Sequence, residues 1–232
     1  MTFINKPRER TVPRTFTAHV VDELRQLILS GVLVEGQQLR QDTLAATLNV
    51  SRIPVREGLR QLEAEGLVTF FPHRGAIVSE LSLDEISELF DGRALLECDM
   101  LRRAIPKFTA ADLDAAEEVL DFYDDAFAQK DVSVWGQFNW KFHSTLYARA
   151  GRPRTFAMIE TLNNNVDRYL RLHLQLPSAV REAQEAHRKL LALCRERQSD
   201  AASAFLREHI LTAGDALIAF VREHRNARAG SG

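Results

Sequence analysis

At 232 residues the chain is long for one domain, and two is the better starting expectation. Its 45% apolar content can fill a sizeable core, and no apolar run reaches the ~18 residues that a bilayer crossing needs. A formal net charge of −2 excludes a globally basic nucleic-acid binder, so any contact with phosphate has to come from a local patch. The first 80 residues carry 10 Lys and Arg against 9 Asp and Glu, so the two halves differ only slightly. Cys98 and Cys194 lie far apart within helical patterns and read as buried thiols of a cytoplasmic chain rather than as a disulfide.

Residues 1–16 contain Pro7 and Pro13, lack periodicity and hold Lys6, Arg8, Arg10 and Arg14. They read as a flexible basic arm, and with no apolar core behind the charges they are not a secretory signal. Val20, Leu24, Leu27 and Ile28 then fall at helical spacing and predict an amphipathic helix that stops near Gly31. VLVEGQQLR reads as a connection, followed by a short helix over about 42–48. Asn49-Val50 makes a turn, and Ser51 is placed to cap the next helix.

That next helix carries Arg52, Arg56 and Arg60 at four-residue spacing on one face, with Val55, Leu59 and Leu62 on the other. Pro54 sits in its first turn and Gly66 ends it. Two strands, Leu67–Phe71 and Ala76–Val78, are joined by Pro72-His73-Arg74-Gly75. Helix, short helix, turn, basic helix and hairpin together spell a winged helix-turn-helix over residues 17–80. Such an arginine row suits the major groove of DNA.

Ser82-Leu83-Asp84-Glu85 is a capping box that opens a second domain, residues 81–225. Thr109 and Asp112 repeat the device. Candidate helices run over about 83–105, 110–129, 131–150, 153–175, 178–197 and 200–225, and residues 226–232 read as a disordered tail. The fold class is therefore mainly α: a winged helix-turn-helix followed by an all-α bundle of about six helices. Asn163-Asn164-Asn165 is odd within a helix, since asparagine is a poor helix former, and at least one of the three is expected to point inward to a pocket.

Asn139 and His143 share a helix face, and His187 and His209 flank the break at Ser199-Asp200. Two helices folded back at that break could bring three imidazoles to one level, a donor set that suits a divalent ion. On pattern alone, histidines scattered on helix faces explain the same residues. Arg93 stands four residues before Glu97, which on pattern alone is a surface ion pair worth little.

VSRIPVREGLRQLEAEGLV with its PHRG wing tip resembles the DNA-binding domain of GntR-type bacterial transcription regulators. FDGRALLE, NWKFHSTL and AHRKLLALCRERQSDAASAFLREHI, in that order, resemble the FCD effector domain of the FadR-like branch. The resemblance implies that Arg52 and Arg56 reach guanine edges, that Ser51 and Arg40 hold phosphate, and that His73, Arg74 and Gly75 form the wing tip near the minor groove. Some relatives have arginine at the position of Asp42, so that contact is lost here, and Arg60 is expected on the surface rather than on bases.

The resemblance further implies a divalent ion, zinc first and nickel or another next, on Asn139, His143, His187 and His209. Asn139 stands where an aspartate is usual, so the site carries less charge. Arg93 would grip the carboxylate of a small effector through its planar fork. The implied protein is a homodimeric repressor released from double-stranded operator DNA by a small carboxylate. The alternative is a metal sensor with the ion itself as signal. A metal-dependent hydrolase is remote, since there is no His-Glu-x-x-His helix, no Gly-x-Ser-x-Gly turn and no placed general base; an enzyme is not expected.

Overall fold

A computed structural model describes residues 16–128, 135–174 and 176–229. The predicted basic arm falls almost wholly outside them, as do the start of the predicted 131–150 helix and the last residues of the predicted tail.

The first unit is held by two facing stripes. Helix α1 (Phe16–Leu29) turns Val20, Leu24 and Ile28 inward, and α3 (Arg52–Ala64) answers with Val55, Leu59 and Leu62; all six are fully buried. Burying such side chains contributes about 1.5–3 kcal/mol each, which outweighs the weak propensity of so short a unit. Helix α2 (Gln41–Thr47) adds Leu44 and Ala45. Strands β2 (Val68–Phe71) and β3 (Gly75–Val78) pair antiparallel in the predicted hairpin, with Phe71 opposite Gly75. A two-residue strand that the connection concealed, β1 (Gln38–Leu39), pairs with the other side of β3, so β3 is central. Ser51 takes the N-cap position of α3 with extended backbone, but its side chain makes no capping hydrogen bond. The expected cap is therefore positional only.

The second unit is the expected six-helix bundle: α4 (Leu83–Ala104), α5 (Ala110–Ala128), α6 (Trp135–Tyr147), α7 (Pro153–His173), α8 (Pro177–Arg195) and α9 (Ser199–Ala229). Both capping boxes form: Glu85 N–H donates to Ser82 Oγ while Ser82 N–H donates to Glu85, and Thr109 and Asp112 repeat the exchange. Helix α9 runs to Ala229, past the boundary expected at 225, because Arg225-Asn226-Ala227-Arg228-Ala229 holds no helix breaker. Helices α4 and α9 form the spine. Gly214 lets them close up, since a β-carbon there would lie 2.8 Å from Phe90 Cγ. Both cysteines are buried free thiols; Cys98 donates to the Ser203 carbonyl. Among the described residues no helix is long and apolar enough to cross a membrane.

Helix α7 joins the two units. Tyr169 Oη donates to Glu35 Oε2 (2.9 Å) and accepts from the Leu81 backbone N–H (3.1 Å). Arg225 Nη2 donates to the Leu81 carbonyl (2.8 Å) and pairs with Glu35. One turn earlier Asn165 covers Gly66, the residue after the α3 C-cap Glu65, whose φ of +79° lies in the left-handed region. A β-carbon on Gly66 would stand 2.1 Å from Asn165 Oδ1. Gly66→Ala should therefore cost about 1–2 kcal/mol for backbone alone, plus the clash. Asn165→Ala added to it should restore the clash share only. A urea midpoint unchanged by Gly66→Ala would contradict this contact.

Candidate functional site

Arg40, Ser51, Arg52, Arg56, His73, Arg74 and Gly75 are all exposed, and the fold gathers them onto the N-terminal ends of α2 and α3 and the wing. The apolar stripe of α3 explains this: with Val55 and Leu59 fixed inward, Arg52 and Arg56 have to face out. At the wing tip His73 (φ +63°) and Gly75 (φ +74°) both take left-handed backbone, which reverses the chain over three residues. Gln38 Nε2 donates to the Arg74 carbonyl at 2.6 Å and ties the tip to β1.

Asp42 supplies an exposed ion pair to Arg52 Nε. It thus engages the leading arginine of the row. Both side chains are more than half exposed, so the pair is exchangeable. Arg60 points elsewhere. It lies 4.0 Å over the Phe70 ring and pairs with Glu63, which ties α3 to β2.

In the bundle, the three predicted histidines converge. His143 of α6, His187 of α8 and His209 of α9 each bring a ring nitrogen to within 4.8 Å of the others. Their ring centroids stand 4.9, 5.1 and 5.5 Å apart. Burial lowers all three; the neighbouring imidazoles add to this for His143 and His187, and the Arg93 charge for His143 and His209, so that His143 and His187 are held well below the usual range and His209 is brought down to about 4. All three are therefore neutral near pH 7, the form that ligates metal. His187 is fully buried, and neither of its ring nitrogens finds a hydrogen-bond partner among the described residues. An orphaned buried imidazole is costly, and a cation between the three rings would satisfy it. The donor set fits a divalent ion of zinc type.

His143 and His209 border a cavity of about 280 Å³. Asn139, one turn before His143, is on its wall, and so is Arg93. Arg93 is only 3% exposed. Its Nε donates to Glu97 Oε1 at 2.7 Å, and its guanidinium lies 5.0 Å from the Phe90 ring centre. The i+4 pair and the pocket role thus coincide, but the pair is buried rather than superficial. Sequence reasoning missed His173, Glu182, Glu208 and Phe205, which complete the wall and its exposed acidic rim. Phe205 and Glu208 lie four and one residues before His209 on α9, whereas His173 of α7 and Glu182 of α8 reach the wall only through helix packing. Of the asparagine run, Asn163 points into the bundle, with its Oδ1 lacking a partner among the described residues, but it does not line this cavity.

Two family models match the chain. Residues 16–78 fit bacterial regulatory proteins of the gntR family, and residues 88–212 fit the FCD domain. An HTH-type transcriptional repressor RspR from Escherichia coli K12 is 26% identical over 81% of this chain and 82% of its own. An uncharacterized HTH-type transcriptional regulator in an unstable DNA locus of Streptomyces ambofaciens is 31% identical over 87% of this chain and 84% of its own. The gluconate operon transcriptional repressor of Bacillus subtilis is 28% identical over 70% of this chain and 65% of its own. Among solved structures, E. coli McbR/YncC superposes with a TM-score of 0.78 at 25% identity, covering 90% of this chain and 99% of that one. A winged helix-turn-helix joined to a helical ligand-type bundle defines a DNA-binding transcription regulator, not an enzyme. The chain belongs to the GntR family, in the group whose second domain is an FCD domain.

Glu97 is fully buried between Arg93 and Tyr147. Glu97→Ala should leave the Arg93 charge uncompensated in the core and destabilise the chelator-treated protein by about 3–5 kcal/mol. A loss under ~1 kcal/mol in urea unfolding would show that Arg93 reaches solvent instead.

Proposed function

We propose that this chain is a cytoplasmic, homodimeric repressor that leaves its operator when a small carboxylate enters the bundle cavity. The observation that carries this reading is the shared cavity: the His143 and His209 imidazoles and a buried guanidinium border one space of about 280 Å³, and the His187 ring nitrogen lies within 4.8 Å of a ring nitrogen of each. His143, His187 and His209, with the Asn139 amide oxygen, would hold a divalent ion, zinc before nickel. Three imidazoles fill three positions and leave others open, and a bound ion would supply positive charge for an anionic ligand there. Arg93 adds a second cationic group for the same carboxylate, although Glu97 already offsets much of its charge. Arg93 in the wall favours an organic effector over the ion alone as the signal. The exposed rim acids Glu182 and Glu208 suit hydroxyl or ammonium groups on that effector, as in a hydroxy acid or sugar acid. The relative named for a gluconate operon is in keeping with this class.

On the DNA side, residues 17–80 would form the reading head, with Arg52 and Arg56 on guanine edges, Ser51 and Arg40 on phosphate, and His73, Arg74 and Gly75 at the minor groove. One such helix covers too little surface for tight specific binding, so two copies related by a dyad would read two half-sites. Residues 81–225 would hold the effector. Release requires that the effector bind one placement of the winged units more tightly than the other.

Arg52→Ala should reduce discrimination between operator and scrambled duplex by about 1–3 kcal/mol, read by fluorescence anisotropy at fixed salt, with the melting temperature unchanged. Equal affinity ratios for variant and parent would remove Arg52 from the base-reading set. His187→Ala should lower bound metal well below one ion per chain, measured by elemental analysis after dialysis. Retention of a full equivalent would take His187 out of the site.

A further inference from the structure

The metal reading above concerns the residues that touch the ion, and the following inference rests on it. His143 does not stand alone on α6. One turn on, Tyr147 Oη lies 3.3 Å from His143 Nδ1 and 2.5 Å from Glu97 Oε2 on α4. Glu97 Oε1 accepts from Arg93 Nε at 2.7 Å. All four side chains are buried, so water does not compete for these bonds.

The direction of each bond follows from chemistry. Arg93 is always a donor, so Glu97 Oε1 accepts from it. A 2.5 Å contact between a hydroxyl and a carboxylate is the length of a charge-assisted O–H···O⁻ bond. The phenol proton therefore points at Glu97. The Tyr147 oxygen then has only lone pairs to offer His143, so Nδ1 must carry the ring proton. A neutral imidazole protonated on Nδ1 has its lone pair on Nε2. By contrast, His187 has no such partner on either nitrogen among the described residues.

We infer that Tyr147 and Glu97 are positioning residues of the metal centre: through the hydroxyl of Tyr147 they hold His143 in the Nδ1–H form, with Nε2 as the atom offered to the cation. Arg93 anchors the far end of this chain of bonds. The group on the effector wall and the group on the ion are thus joined through two intervening side chains. Partners of this kind fix the ring orientation of a ligand before the ion arrives.

Tyr147→Phe removes the one oxygen and leaves the ring and the Arg93–Glu97 pair in place. The test uses the full chain, uniformly ¹⁵N-labelled and chelator-treated, with Zn²⁺ as the probe. Long-range ¹H–¹⁵N spectra near pH 7 report the tautomer of His143, assigned by the missing signals of His143→Gln. Competition with a chromophoric chelator reports Zn²⁺ affinity. The expected result is a pure Nδ1–H form in the parent, a loss of that preference in Tyr147→Phe, and a fall in Zn²⁺ affinity of about 10–100-fold. An Nε2–H form in the parent overturns the inference without any variant. So does a Tyr147→Phe protein whose tautomer and Zn²⁺ affinity match the parent. A parent that takes up no Zn²⁺ overturns the metal reading and this inference together, which separates the two failures.

Discussion

Three imidazoles packed within ring contact of one another, away from water, impose the tightest constraint on the bundle. Each must be neutral, because a charged ring there would lose its hydration and meet its neighbours' repulsion. Each also needs a partner for its ring nitrogens. The constraint reaches through three helices at once, since α6, α8 and α9 supply one ring apiece. It reaches α4 as well, through Tyr147, Glu97 and Arg93. An apolar core of the same size would be easier to fill. Retaining so many buried polar groups in one place is the mark of a site, and structural ion pairing accounts for only part of it.

The cavity beside these rings is also within one turn of the contacts that hold the winged unit. Leu170 and His173 of α7 and Leu174 just after it line it, while Tyr169 on the same helix meets Glu35 and the Leu81 backbone, and Asn165 covers the end of α3. A displacement of α7 by less than the width of a side chain would therefore be felt at the base of the arginine-bearing helix. Close packing makes such a helix shift as a unit rather than bend. In the proposed mechanism that rigidity carries the signal, and the effector's preference for one placement supplies its energy.

Much of this architecture was legible in the amino-acid order, for reasons that differ by element. Helix α3 was plain because its arginines and its apolar residues obey one period on opposite faces. The starts of α4 and α5 were plain because a capping box is a local device whose members lie three residues apart. Strand β1 was hidden because two residues carry no period, and it exists only by pairing with β3. The bond of Tyr169 to Glu35 spans 134 positions and leaves no local trace. The histidine trio was intermediate. Spacing made it conceivable and resemblance made it expected, but the register of three helices was needed to bring the rings together. The cavity wall beyond Arg93, Asn139 and the histidines was not legible, because which face of α7 or α8 meets the others is decided by packing alone.

The account turns on whether those rings share one cation. X-ray absorption on the Zn²⁺-loaded full-length chain, after dialysis to constant metal content, addresses it most directly. One ion per chain with about three imidazole nitrogens at ~2.0–2.1 Å is the predicted result. A first shell of oxygens alone, or an ion lost on dialysis, would contradict it.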